Sequence, residues 1–307
     1  FAVFLASCTS NKALKHPLDK SKSKTVVLEN GLKVYLLSDP SFNVSAASVS
    51  VEVGSLDNPD DRQGLAHFLE HMLFLGTEKY PDVDEYSSYL KTYGGYSNAY
   101  TASDHTNYQF QVLPDGFEGA LDRFSQFFIS PLFTAEYTAR EVNAVNSEHQ
   151  KNKLNDNWRQ FRVSSLFAKE GHPERKFGTG NLETLGDITR EELIRFYKQH
   201  YSANRMGVAL LSTHTLEEME SWCRQYFSSI KNHNLDRNKY DPSFLEKKET
   251  FRLIQIDPVK DVRNLNLLFS LPATRHLYKS KPGRQFGFIL GYEGRGSLLS
   301  YLKQKGW

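Results

Sequence analysis

Gly64-Leu65-Ala66-His67-Phe68-Leu69-Glu70-His71-Met72-Leu73-Phe74-Leu75 is apolar on nearly every side, yet it holds two imidazoles and a carboxylate within five positions. A helix that is hydrophobic all round is a buried helix. At about 100° per residue, His71 lies about 40° around such a helix from His67, and Glu70 about 60° to the other side. All three therefore point into one sector and can reach one point in space. Buried polar groups need partners. Imidazoles at i and i+4 suit a zinc ion, and a carboxylate beside them can take a proton from a zinc-activated water.

The alternative is a pair of hydrogen-bonded core histidines with a salt-bridged glutamate. The added Glu at the fourth position, inside a core-type helix, favours metal. The order His-x-x-Glu-His is the inverted zinc-protease motif. Catalytic zinc takes three protein ligands and keeps one open position. The source of the third is the helix predicted over Thr134–Leu154, capped by Thr134, where Glu141 and Glu148 stand seven residues apart. That spacing returns them to faces about 20° apart, with Glu136 off that face. Position alone does not choose between Glu141 and Glu148.

Around this core the composition is that of a globular protein. Of 307 residues, 39% are hydrophobic and 24% charged, which excludes a disordered chain and suggests two domains. Basic and acidic residues nearly balance (38 against 36), and no basic cluster points to nucleic acid. Two cysteines, Cys8 and Cys223, are too few for a disulfide framework. Phe1–Cys8 is apolar and ends in Leu-Ala-Ser-Cys, like the tail of a secretion signal with a lipoprotein cleavage box. This predicts a periplasmic protein lipidated at Cys8 and anchored to a membrane; a cytoplasmic protein is the alternative. No later segment reaches the ~20 apolar residues of a membrane span. A chain running from Phe1 to Trp307 in this way reads as a fragment of a longer protein.

Strand and helix signals then alternate. Lys24–Leu37 reads as a hairpin turning at Asn30-Gly31 in a type I′ turn. Val44–Val53, Tyr96–Ala102 and His105–Leu113 read as strands, followed by helices at Phe117–Ile129, Trp158–Lys169, Glu191–His200 and Leu216–Phe227, with a strand at Met206–Leu211. Asp57–Asp61 is a polar loop placed to cap the first helix, and Gly76 to end it. The class is α+β: an antiparallel or mixed sheet with helices packed on one face, followed by the start of a second, similar domain. The divisions are a tail at 1–23, a catalytic zinc-binding domain at 24–235, a polar linker at 236–249 and a truncated second domain at 250–307, with strands at Thr250–Ile256 and Asn264–Leu271.

His67–His71 together with Arg140-Glu141-Val142-Asn143-Ala144-Val145-Asn146-Ser147-Glu148-His149 resembles the pitrilysin family of zinc metallopeptidases, in the branch of insulin-degrading enzyme and protease III. Gly94–Tyr100, His105–Tyr108, Lys176–Asn181, Gly296–Leu299 and Lys305–Trp307 match as well, so the resemblance covers nearly everything after residue 24. It implies one zinc on His67, His71 and Glu148, Glu70 as general base, and Glu141 as a carboxylate orienting a ligand. The implied reaction is hydrolysis of oligopeptides and small unfolded proteins in an enclosed chamber, with the C-terminal half of the full chain needed to close it. It also implies that Asn98-Ala99-Tyr100 receives the peptide as an added strand. Phe74, Ala99, Tyr100, Trp158 and Phe161 would wall the pocket for the residue after the cut; Tyr100 departs from relatives that carry Phe. Phe286–Gly291 matches a second-domain strand whose Gly287, Phe288 and Gly291 would anchor a substrate's N-terminus. The rival reading is a non-catalytic scaffold or peptide-holding subunit of the same family.

Overall fold

Alternation along the strands decides which side of the sheet faces the core. The computed structural model describes residues 15–243, 245, 252–269, 271–272 and 274–307. Six strands form one mixed sheet: β1 (Lys22–Val27), β2 (Lys33–Ser38), β3 (Ser45–Val51), β4 (Tyr96–Thr101), β5 (Thr106–Val112) and β6 (Met206–Ser212), in the order β1-β2-β6-β3-β5-β4. β2 and β6 run parallel and all other neighbours antiparallel. Register sets Val34, Val208, Val49, Tyr108 and Ala99 in one cross-strand row, and Leu36, Leu210, Ala47, Phe110 and Ser97 in the next. Side chains two apart share a face, so these rows line the buried side.

Helices cover that side: α1 (Leu65–Met72), α2 (Glu85–Thr92), α3 (Phe117–Gln126), α4 (Ala135–Lys153), α5 (Asp156–Ser165), α6 (Leu182–Leu185), α7 (Arg190–His200) and α8 (Leu216–Phe227). Phe124 of α3 sits in an aromatic cluster, with Phe110, Phe127, Phe128 and Tyr86 rings at centroid distances of 5.1–6.4 Å. Phe124→Ala should therefore destabilise by about 3–5 kcal/mol. Urea unfolding would show it as a lower midpoint with an unchanged slope.

One turn differs from expectation. Of Asn30 and Gly31 only Gly31 has a positive φ (+84°), and the Gly31 N–H donates to the Leu28 carbonyl, so the hairpin closes with a three-residue loop rather than a type I′ turn. The reason is Asn30, whose side chain is used at long range: its amide donates to the carbonyls of Phe227 and Ile230. At α1 the 57–61 loop supplies the cap as expected. Gly64 is the N-cap residue, and Asn58 Oδ1 accepts the Ala66 N–H at 2.8 Å. Thr134 holds the N-cap position of α4, but its hydroxyl makes no capping bond.

The described residues up to Val259 form one compact unit and those from Lys260 onward another. Within the first, Asn204 holds the Leu235 carbonyl, and Asn238 and Tyr240 hold Asp57. The described residues of Thr250–Ile256 and Asn264–Leu271 form no strand. A strand exists only when a neighbour pairs with it, and alternation alone cannot supply one. The second unit contains α9 (Pro282–Leu290) and α10 (Leu298–Gln304). Phe286–Gly291 is thus helical, with Gly287 and Phe288 inside α9 and Gly291 at its C-cap, which corrects the strand reading. Pro282 at the first turn and backbone bonds closed within the segment outweigh the cost of its glycines. Cys8 lies outside the described residues, and no helix among those described is long and apolar enough to cross a membrane.

Candidate metal centre

α1 and α4 pack against each other, and their facing side chains build the site. His67 Nδ1 lies 2.8 Å from the Thr179 carbonyl oxygen, and His71 Nδ1 lies 2.8 Å from Glu141 Oε1. A carbonyl oxygen only accepts, so Nδ1 of His67 donates; the Glu141 carboxylate asks the same of His71. Both Nε2 atoms of the neutral rings are then left as acceptors, and they stand 3.2 Å apart. Glu148 Oε2 completes the triangle at 3.6 Å from His67 Nε2 and 3.8 Å from His71 Nε2. Among the described residues this is the group of three suited to a metal ion.

Three lone-pair donors converging so closely repel one another unless a cation lies between them. Tetrahedral zinc with bonds of about 2.0–2.1 Å sets its donors about 3.3 Å apart, and two imidazoles with a carboxylate are an ordinary zinc set. The residues fit the ion. The outer partners fit too, since each imidazole is oriented through its other nitrogen.

The close approach of Thr179 depends on glycine. Gly64 has φ +92° and a Cβ there would lie 2.2 Å from the Gly180 Cα, so the 176–181 run passes over the start of α1 only because Gly64 has no side chain.

Glu70 lies beside the two histidines and is buried at 6% exposure. Thr101 Oγ1 donates to its Oε2 at 2.6 Å. Burial pushes the Glu70 carboxyl up to about 7, against the Thr101 bond and the His71 charge, which pull it down. His67 is held below the ordinary imidazole value by burial and then by His71. Burial acts the same way on His71, but the Glu141 hydrogen bond and the surrounding carboxylates together raise it. Below Glu70, Tyr108 and Tyr201 share a 2.6 Å hydroxyl contact, and burial holds both phenols protonated.

The strand and pocket residues divide between surroundings. Ala99 shares the core-side row with Tyr108, while Asn98 and Tyr100 are exposed by alternation on the other face. Tyr100 reaches His105, with the hydroxyl 3.3 Å from Nε2. The Phe74 ring packs on Tyr86, Tyr108 and Phe127. Trp158 and Phe161 meet edge to face at 6.0 Å and are exposed on α5. Thr101 and Thr179 were not singled out in the sequence. Thr101 is two residues after Ala99 and so shares the face of α1, a signal the alternation carried. Thr179 acts through its carbonyl, which every residue has.

The chain matches the family described as Insulinase (Peptidase family M16) over residues 33–170 and the Peptidase M16 inactive domain over 187–307. The chain belongs to the insulinase family. Among its relatives are the human insulin-degrading enzyme, 44% identical over 304 residues (97% of this chain, 30% of that protein), and the A-factor-processing enzyme of Saccharomyces cerevisiae, 42% identical (96% and 29%). An Arabidopsis thaliana relative, named insulin-degrading enzyme-like 1, peroxisomal, is 44% identical (96% and 31%). The crystal structure of pitrilysin superposes with a TM-score of 0.84 at 30% identity, covering 95% of this chain and 32% of that one. The chain therefore spans about 30% of the length of the curated relatives it matches. These eukaryotic relatives lend no support to a periplasmic location or a lipid anchor.

In this insulinase-family chain, Glu141→Ala should weaken zinc binding by about 10–100-fold while leaving the three converging donors in place. Competition of the full-length protein with a colorimetric chelator would measure it. Unchanged affinity would remove Glu141 from the site.

Proposed function

We propose that the protein is a zinc metalloendopeptidase whose base and metal ligands lie in this chain, acting on oligopeptides and small unfolded proteins. The observation that carries this is the meeting of His67 Nε2, His71 Nε2 and Glu148 Oε2 beside the buried Glu70 carboxylate. Zinc held there supplies Lewis acidity that brings the pKa of water toward ~7 and polarises the scissile carbonyl. Glu70 takes a proton from the attacking water and returns it to the leaving amine as the C–N bond breaks. Glu141 and the Thr179 carbonyl keep the two imidazoles aimed.

The position of β4 supports the route for substrate. Among the described residues β4 is an edge strand, paired only with β5. The Ala102 N–H bonds inward to the His105 carbonyl, so by alternation the backbone groups of Ser97, Ala99 and Thr101 face the open edge. A peptide added there binds through its main chain, with little regard to side chains. Ala99, Tyr100, Phe74, Trp158 and Phe161 remain our candidates for the walls that receive the residue after the cut. The eukaryotic relatives favour an intracellular location over the periplasm.

Convergence of all four motif side chains supports an enzyme over a peptide-holding scaffold. The test is digestion of a peptide mixture by the full-length protein with and without a zinc chelator. Cleavage should stop with chelator and return with zinc; cleavage that continues in chelator overturns the proposal.

A further inference from the structure

We infer that Thr101 is a positioning residue for Glu70, and that it ties the aim of the base to occupancy of the β4 edge. Thr101 is the last residue of β4, and its hydroxyl donates to Glu70 Oε2 at 2.6 Å. Across the strand pair stands Thr106, whose buried hydroxyl donates to the Val53 carbonyl at 2.8 Å. The two threonine oxygens are 3.3 Å apart. Thr106 has one hydroxyl proton and spends it on Val53, and Thr101 spends its own on Glu70. The direction of the Thr101 bond is therefore set from both sides. Being β-branched, Thr101 also has few side-chain orientations open to it. One carboxylate oxygen of Glu70 is thereby fastened, and Oε1 is the one left to meet a water.

The backbone of the same residue faces the open edge. A peptide laid on β4 bonds the Thr101 main chain while the Thr101 side chain holds the base. Docking of the substrate backbone and alignment of the proton acceptor thus pass through one residue at the end of a strand bonded on one side only. Bonds made to the strand at a distance from the cut then serve the chemical step, so longer peptides gain in kcat rather than in KM alone.

This inference rests on the peptidase reading, and the experiment separates the two. Full-length protein carrying Thr101→Val, Thr101→Ala or Thr101→Ser is compared with the unaltered protein on a short and a long peptide, with zinc content and far-UV circular dichroism recorded. Thr101→Val keeps the strand backbone and loses the donor. It should lower kcat by about 10–100-fold, the range for losing a hydrogen bond to a charged group, with KM and zinc content unchanged. The kcat advantage of the long peptide should shrink in Thr101→Val, and Thr101→Ser should restore most of the rate. Thr101→Ala serves the same comparison should the valine variant fail to fold. A zinc-loaded Thr101→Val enzyme with unchanged kcat, a change in KM alone, or a serine variant as slow as valine overturns the inference and leaves the peptidase reading standing. An unaltered zinc-loaded protein that cleaves neither peptide overturns both.

Discussion

Glu70→Gln in the full-length protein should lower kcat for peptide cleavage by about 10²–10⁴-fold, the range contributed by a placed general acid–base group. The substitution is nearly isosteric, and the amide oxygen can still accept from Thr101, which now bonds Glu70 Oε2. Packing at this 6% exposed position is kept. What is lost is the ability to take and return a proton. The fold should not suffer, because burial already works against charge at this position and raises the carboxyl to about 7. Thermal stability should stay the same or rise. Zinc should remain bound in full, since Glu70 is not one of the three converging donors. Activity is read with a quenched fluorescent peptide and metal by elemental analysis. Undiminished cleavage by a zinc-loaded Glu70→Gln protein would exclude Glu70 as the base.

Glu148→Ala should instead remove activity by removing metal. With its carboxylate gone, two imidazoles 3.2 Å apart are the only members of the triangle left. Zinc affinity should fall by more than the about 10–100-fold that an outer partner such as Glu141 costs, because a direct bond is lost rather than its orientation. Excess zinc should restore activity in part, a response Glu70→Gln cannot give. Parallel titrations of Glu148→Ala and Glu141→Ala rank the two carboxylates. Full zinc retention by Glu148→Ala together with loss by Glu141→Ala would exchange their roles.

The two glutamates also mark where sequence periodicity stops being informative. Seven residues on one helix return to one face but stand about 10.5 Å apart along the axis. Periodicity gives the face of α4; which turn meets α1 depends on how the helices slide together. Both carboxylates reach the site because His71 has two ring nitrogens, with Glu141 at Nδ1 and Glu148 near Nε2. Similarly, Asn30 was legible as a turn residue, but its bonds to Phe227 and Ile230 come from α8 and its C-terminal turn, nearly 200 positions away. The insertion of β6 between β2 and β3 has no local signature at all. The 286–291 run looked like a glycine-bearing strand, and it closed its own backbone bonds as a helix.

The sequence by itself determined what short-range geometry determines: that His67, Glu70 and His71 share one sector of a buried helix, that Tyr96–Ala102 and His105–Leu113 alternate as strands, and where most of the first unit's helices lie. These follow from repeats of 3.6 and 2 residues, which neighbouring positions carry between them. Tertiary structure alone decided that α4 meets α1 with Glu148 in the donor triangle, that the Thr179 carbonyl turns one imidazole, and that Thr101 at the end of β4 bonds the Glu70 carboxylate. Those contacts join residues from 31 to 112 positions apart, and such contacts depend on packing, which the chain settles only once its apolar faces have met.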